Sequence, residues 1–447
     1  MKYIAYICLL LGFSLNAFAQ EKIGLTTDNY LPVYHVSNNP ASILDQKPWL
    51  SVNVMGFHAS IRNNFMHIAN SRLGPKSTDF PIAYDSPNKD SKGFMSLEVL
   101  GPSFSIASGK NGFGFHTALR SYANLNNLPG AMGQIIANQG VDSAADGTYQ
   151  INNGRIKSMT WAEIGVSYGR IVYSKGTRMM STALSLNRLV GIHQTNMIID
   201  NAEIEVRRGS GTLKNLQGEY SYSDVAMNAG SGWSLNSGFV YKKMLIKNNV
   251  DNYYAHSRKV GCKAPEYHYK IGVSLLDVGY IRFKENSQNA NLSDSLEVGD
   301  IEKGIAKANE INESNFTAIL PTALSLQADY RLRDYVYLNA IIVQKISLAT
   351  SLGVERSNVF AISPRFESRW FTASIPLSLS NYTAPQMGLY LRLGYLAIGT
   401  DHLSPFIRTK DINAVDLYFS LNIPIQNSAD CRKRPSASKA KWSSSPW

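Results

Sequence analysis

The chain is poor in cysteine, poor in charge and, beyond its first residues, without a long apolar run. Three cysteines in 447 residues, one of them Cys8 inside an apolar leader, exclude the disulfide framework that holds small secreted domains together. The position of Cys8 within that leader, away from its end, also argues against a lipoprotein anchor. No stretch after the leader is apolar enough for a membrane helix, which excludes a helical membrane bundle. Enzymatic signatures are missing too: there is no Gly-x-Ser-x-Gly elbow, phosphate-cradling loop or dinucleotide fingerprint. The eight histidines fall in none of the usual ligand spacings. Charged residues amount to only 17%, against 24 tyrosines. Such a balance suits a molecule whose outside meets lipid and whose inside meets water, because alternating strands average to mild hydropathy.

What is present begins with Lys2, an apolar run from Tyr3 to Leu15 and Ala17-Phe18-Ala19 before Gln20. These are the n-region, h-region and Ala-x-Ala site of a secretory signal peptide over 1–19. Its removal takes Lys2 away and lowers the formal net charge from +11 to +10. Part of that excess sits in the last segment, where Cys431 to Trp447 carries five basic residues and no acidic one. Residues 426–447 are expected to be a disordered basic tail, dispensable for folding. Nucleic acid is a poor partner for a secreted chain; anionic lipid heads or an acidic protein fit better.

Period-two alternation dominates the rest. Val415, Leu417, Phe419, Leu421 and Ile423 are apolar against Asp416, Tyr418, Ser420 and Asn422. Phe371, Ala373, Ile375, Leu377 and Leu379 repeat the pattern, as do Leu320, Leu324, Leu326, Ala328, Tyr330 and Leu332. Thirteen strands are expected, these three plus 49–62, 93–108, 112–122, 161–174, 177–192, 233–246, 267–283, 335–347, 358–368 and 386–398. A single-chain barrel needs an even number, so a fourteenth is expected in 194–228, where Ala202 to Val206 alternates. Tight hairpins are expected at Gly109 to Gly112, Ser174 to Thr177 and Arg333-Asp334, against long polar connections at 63–92, 123–160, 193–232 and 284–316. Helical character appears in Leu128 to Gln139 and in Asp300 to Glu313. Trp49, Tyr122, Trp161, Tyr173, Trp233, Tyr241, Tyr335, Trp370 and Tyr382 lie near strand ends, where aromatic girdles would place them. In such a barrel Leu417 faces lipid, and Tyr418 is expected to tolerate polar replacement.

Residues with chemistry are few. His256, Cys262 and His268 are the best metal cluster, but their spacing is loose and no carboxylate stands beside them. His256-Ser257 fails as a hydrolase pair because adjacent strand residues point to opposite faces. No catalytic residue, cofactor site or metal site is expected. The lead before the first strand is more distinctive: Ser37-Asn38-Asn39-Pro40-Ala41-Ser42, in which Asn39 can cap a helix that begins at Pro40.

A signal peptide, a plug-like lead with Asn39-Pro40-Ala41 and a barrel of about 14 strands resemble the long-chain fatty acid transporter superfamily of outer-membrane proteins. The lead, Arg120-Ser121-Tyr122-Ala123-Asn124 and the terminal Gly399-Thr400-Asp401, Asp416-Leu417-Tyr418 and Ile423-Pro424 are similar to an uncharacterised barrel family of the Bacteroidota. The resemblance implies an all-β transmembrane antiparallel barrel over 49–425 in the outer membrane, with residues 20–48 as an N-terminal hatch inside the lumen. By that analogy the hatch motif is Asn39, Pro40 and Ala41, and no pocket residue carries over. Two functions follow. A non-enzymatic scaffold or partner barrel would offer its loops or tail to envelope or secretion proteins. A passive transporter of small hydrophobic compounds would need a path past the hatch, with Met132, Ile135 and Ile136 at its mouth. A continuous apolar pocket around 20–48 would speak for transport, and a network of polar contacts for the scaffold.

Overall fold

The computed structural model describes residues 21–428 except 69–81, 85–89, 131–145, 208–209, 246–265, 285–286, 293–295, 298–314, 347–351, 383 and 408–411. The signal segment, the tail beyond 428, both segments of helical character apart from 128–130, and His256, Cys262, Met132, Ile135 and Ile136 lie outside the described residues.

Fourteen antiparallel strands close into one barrel. They are β1 (Leu50–Asn63), β2 (Ser91–Leu100 with Ser103–Ser108), β3 (Asn111–Leu128), β4 (Gly147–Lys175), β5 (Arg178–Arg207), β6 (Gly230–Met244) and β7 (Tyr267–Phe283). The ring continues with β8 (Phe316–Ile319 with Ala323–Arg333), β9 (Val336–Lys345), β10 (Val359–Glu367), β11 (Phe371–Ser374 with Leu377–Ser380), β12 (Ala384–Met387 with Leu389–Leu393), β13 (Leu396–Thr400) and β14 (Ala414–Ile425). Each pairs with its neighbours in sequence order, and β14 returns to β1 from Leu50↔Ile425 to Arg62↔Ala414. Closure leaves no edge in the ring, so every wall strand has a partner on both sides.

The wall is inverted relative to a soluble protein. On β14, Val415, Leu417 and Ile423 are 43, 38 and 40% exposed whereas Asp416, Ser420 and Asn422 are buried. The same reversal runs round the ring: Ile271, Val273 and Tyr280 point out from β7, while Arg365 and Arg392 are completely buried inside. Apolar side chains outside and polar ones inside are what a strand needs when lipid lies on one face and a wet or hydrogen-bonded lumen on the other. Among the described residues no helix is long and apolar enough to cross a membrane.

Fourteen strands are reached by a different route from the one expected. The run at 386–398 is two strands, folded back at Gly394-Tyr395 so that Leu393 pairs with Leu396. Gly394 supplies the left-handed φ of 60° that the first central residue of such a hairpin requires. The turn was hidden because Leu391, Leu393, Leu396 and Ile398 read as one apolar series. The segment at 194–228 adds no strand to the ring. It lengthens β5 to Arg207 and supplies a strand, Ser210–Ser223, that pairs with β5 and with Ser287–Leu292 beyond the rim. Much of the polar sequence at 123–160 and 193–232 is thus raised wall around an apolar patch of Leu128, Ile151, Ile204 and Val206.

Short turns at 108–111, 175–178, 333–336, 367–371 and 393–396 mark one end. The longer connection from β6 to β7 also lies at that end, since Lys243 pairs with Arg178 beside the β4–β5 turn. Tyr173, Tyr335, Trp370 and Tyr395 stand exposed around this rim, with Trp233, Tyr280 and Tyr382 exposed towards the other. Tyr122 and Trp161 do not belong to a girdle. Both are buried in the lumen with their rings 5.7 Å apart. Tyr418 is also no tolerant position: it is completely buried, and its hydroxyl donates to Asp401 at 2.9 Å.

Candidate functional site

Residues 21–48 fill the lower lumen, entering from the short-turn end where Trp49 leads into β1. Two short helices, α1 (Ile23–Thr27) and α2 (Pro32–Asn38), precede a 3-10 turn over Pro40–Leu44. Pro32 and Pro40 start their elements where a missing N–H costs nothing. The side chain of Asn39 accepts from Ala41 N at 3.0 Å, which is the cap the sequence suggested.

Asn39 does more than cap. Its Nδ2 donates to Phe239 O at 3.2 Å and to Gln327 Oε1 at 2.9 Å, so the same amide ties the hatch to β6 and β8. The wall permits this through glycine: a Cβ on Gly238 would stand 2.1 Å from Asn39 Oδ1, and one on Gly272 2.7 Å from Nδ2. Pro40 lies against the same glycine, and Ala41 packs completely buried against Ala183 and Val240. Asn38 accepts from Ser274 at 2.6 Å and from Ser325 at 2.9 Å.

Apolar residues of the hatch, Leu25, Leu31, Ile43 and Leu44 among them, pack against the wall, and charged groups fix it further. Asp28 accepts from Arg392 Nε at 2.7 Å and from the Tyr390 hydroxyl at 2.8 Å. Burial alone would raise its carboxyl, but Arg392 and hydrogen bonds from Tyr30 N, Arg392 and Tyr390 hold it below its ordinary value. Asn29 donates to Glu367 and Tyr267 and accepts from Lys270 at 2.7 Å. Asp45 pairs with Lys242 and Lys270, and Lys47 with Glu266 at 2.6 Å. At the upper end Lys22 pairs with Glu98, and Ile23 N donates to Asp401 at 2.9 Å. Burial, then the neighbouring Asp416 charge, pushes the Asp401 carboxyl up to about 7. Nothing in the sequence pointed to these wall partners, because inward positions read simply as the polar half of an alternation.

Above the hatch lies a charged layer. On β7 a bulge places two residues, Leu276 and Asp277, opposite Asn236, and Asp277 takes a left-handed φ of 53°. The extra residue swings the Asp277 carboxylate inward. There it accepts from both Arg120 Nη atoms at 2.9 and 2.8 Å, while Arg120 also lies 3.4 Å from Glu163. Higher still, Trp161, Leu189, Ile281, Phe283 and Phe316 form a buried apolar cluster.

A cavity of 70 Å³ lies between α2, the charged layer and β1–β3. Glu98, His116 and Arg120 line one side and Val33, Val36 and Leu100 another. Two further lining residues, Phe104 and Phe115, belong to the outward series of β2 and β3 and stack at 6.0 Å. The cavity floor thus includes wall residues of both the inward and the outward series. The ladder beside them is irregular. Gly101, Pro102 and Ser103 stand opposite only His116 and Thr117, and β1 bulges at Val54, leaving Val54 and Met55 both exposed. Pro102 cannot donate to a ladder, which confines it to such a break.

Among the described residues no group of three or more His, Cys, Asp or Glu side chains is placed to hold a metal ion. Comparison with curated proteins gives no match. Among solved structures, the toluene transporter TbuX of Ralstonia pickettii is 9% identical, with 92% of this chain and 100% of that one covered and a TM-score of 0.43. The toluene transporter TodX of Pseudomonas putida is 10% identical over 91% and 93%, with a TM-score of 0.38. A mutant of the TodX monoaromatic hydrocarbon channel is 8% identical over 92% and 100%, at 0.45. At these scores the barrel assignment rests on the chain's own ladder. The sequence model described as a family of unknown function, DUF5723, matches residues 40–401, most of the barrel and the lumenal segment from Pro40 onward, and the chain belongs to that family.

Proposed function

We propose that this barrel is a passive transporter of small hydrophobic compounds across the outer membrane, held closed here by its hatch. The carrying observation is the cavity beside the hatch, lined in part by Val33, Val36, Leu100, Phe104 and Phe115, next to the place where β1 and β2 are irregular together. A compound leaving the lumen there would enter lipid without crossing the polar headgroups, and a missing ladder bond on Pro102 lowers the cost of parting the strands. The polar seam around residues 21–48 by itself suits a closed scaffold. A scaffold gives no reason for a part-apolar cavity set against a break in the wall. In the transport reading the seam is the latch of a gate, and Asn39, Pro40 and Ala41 are its footing. The barrel then works by opening a path, with no chemical step.

Ala118→Trp tests this, since Ala118 lines the cavity from the lumenal side of β3. Cells with a lipopolysaccharide outer membrane that express the chain should take up labelled toluene faster than cells without it, and Ala118→Trp should remove the gain while the barrel still shows heat-modifiable migration. Equal uptake with and without the native chain sinks the transport reading. Stoichiometric co-purification of an envelope protein would then favour the scaffold.

A further inference from the structure

The connection between β9 and β10 does not stay at the rim. Residues 352–358 fold down into the lumen from the end opposite the hatch, with Gly353, Val354, Arg356 and Ser357 buried. Ile319 N donates to Leu352 O at 3.3 Å. Gly353, at φ 127°, runs so close to the wall that a Cβ would stand 2.3 Å from Ile319 O. Asn124 grips the backbone of Glu355 from both sides, donating to its carbonyl at 3.0 Å and accepting from its amide at 2.9 Å. Val354 joins the apolar cluster of the upper lumen. Arg356 reaches furthest. Its Nη2 donates to Asp277 at 3.1 Å, and its Nε lies 3.3 Å from Glu21 of the hatch.

Two plugs that enter from opposite ends thus meet at one buried guanidinium. We propose that residues 352–358 form a second gate and that Arg356 interlocks it with the hatch, so that each holds the other shut. The physical reason is the cost of leaving a buried charge short of a partner: withdrawal of Glu21 leaves Arg356 with Asp277 alone, already shared with Arg120, and lifting Arg356 leaves Glu21 unpaired in the lumen. Coupling of this kind is reciprocal, so loosening either plug must loosen the other by the same factor. The gating role rests on the transport reading above. The interlock itself is measurable without transport.

Hydrogen exchange on the full-length barrel in lipid is the test. Arg356→Gln should raise exchange at the hatch amides of Ile23 and Thr26 on the order of tenfold, and Glu21→Gln should raise exchange at the Glu355 amide by a similar factor. Asp277 keeps Arg120 in the first variant, so the barrel should remain heat-modifiable. Asn124→Ala, which frees the second plug without removing a charge, should loosen the hatch as well. If each substitution alters only its own plug, the interlock is wrong, and if Arg356→Gln fails to fold, the Glu21→Gln and Asn124→Ala arms decide in the same way. Reciprocal loosening without toluene uptake in any variant would overturn the transport reading and leave the interlock standing.

Discussion

Below Asp277 the lumen is packed by a hatch that joins buried apolar side chains, Leu25, Leu31, Ile43 and Leu44 among them, with hydrogen bonds and ion pairs to the wall; above it the cluster of Trp161, Leu189, Ile281, Phe283 and Phe316 has hardly a charge. Apolar packing is non-directional and yields only when the wall itself moves. Polar contacts are directional and fail when one partner shifts, but only if water or another partner can take over. The hatch half therefore adds directional contacts to its apolar packing, whereas the upper cluster relies on packing. Residues 352–358 belong to both, with Val354 in the apolar cluster and Arg356 in the charged layer.

Breaking the two halves separately shows whether they are independent. Trp161→Ala removes the largest completely buried side chain, with its stacking on Tyr122 and its hydrogen bond to Glu163 at 3.1 Å. It should lower barrel stability by about 3–5 kcal/mol in denaturant titrations and leave exchange at the Asn39 and Lys47 amides unchanged. Arg392→Ala should show the reverse. It strands the Asp28 carboxylate, at a cost of about 3–5 kcal/mol, and faster exchange should appear first at the hatch amides of Leu31 and Tyr34. Fast exchange spreading to Phe283 would show that the halves are one unit.

A substitution on the wall sets the scale. Leu417→Arg, near the middle of the outward series on β14, should cost about 2–4 kcal/mol and slow folding into bilayers without favouring either half. Acidity gives the smallest and most local effect. Asp401 has its carboxyl raised from 3.8 to about 7 in the folded barrel, so the folded state binds the proton more tightly, and stability from this group falls as pH rises through roughly 4 to 7. Asp28, with its carboxyl lowered, works in the opposite sense, and its contribution disappears as pH falls below the ordinary carboxylate value. Barrel stability in denaturant titrations should accordingly fall between about pH 4 and 7, and Asp401→Asn should flatten that slope. An unchanged slope in Asp401→Asn would assign it to another group.

The sequence by itself determined the wall. Alternation on β14 specifies which side chains meet lipid, because a pleated strand sends successive residues to opposite faces. The hairpins at Gly109, Gly176 and Arg333-Asp334 follow from local turn chemistry, and the Asn39 cap on the Pro40 turn is equally local. The tertiary structure alone decided the interior. Alternation says that Arg365, Asp277 or Tyr418 points inward, but not whether it meets water, a neighbouring strand or a plug. The pairs that hold the hatch join residues far apart in sequence, from 76 positions for Lys22 and Glu98 to 364 for Asp28 and Arg392, and only the closed barrel brings them together. The bulge at Asp277 and the turn at Gly394 were hidden for a related reason: one residue more or less changes the face of everything after it, and the register that reveals the change is a property of the paired strands, not of either strand alone.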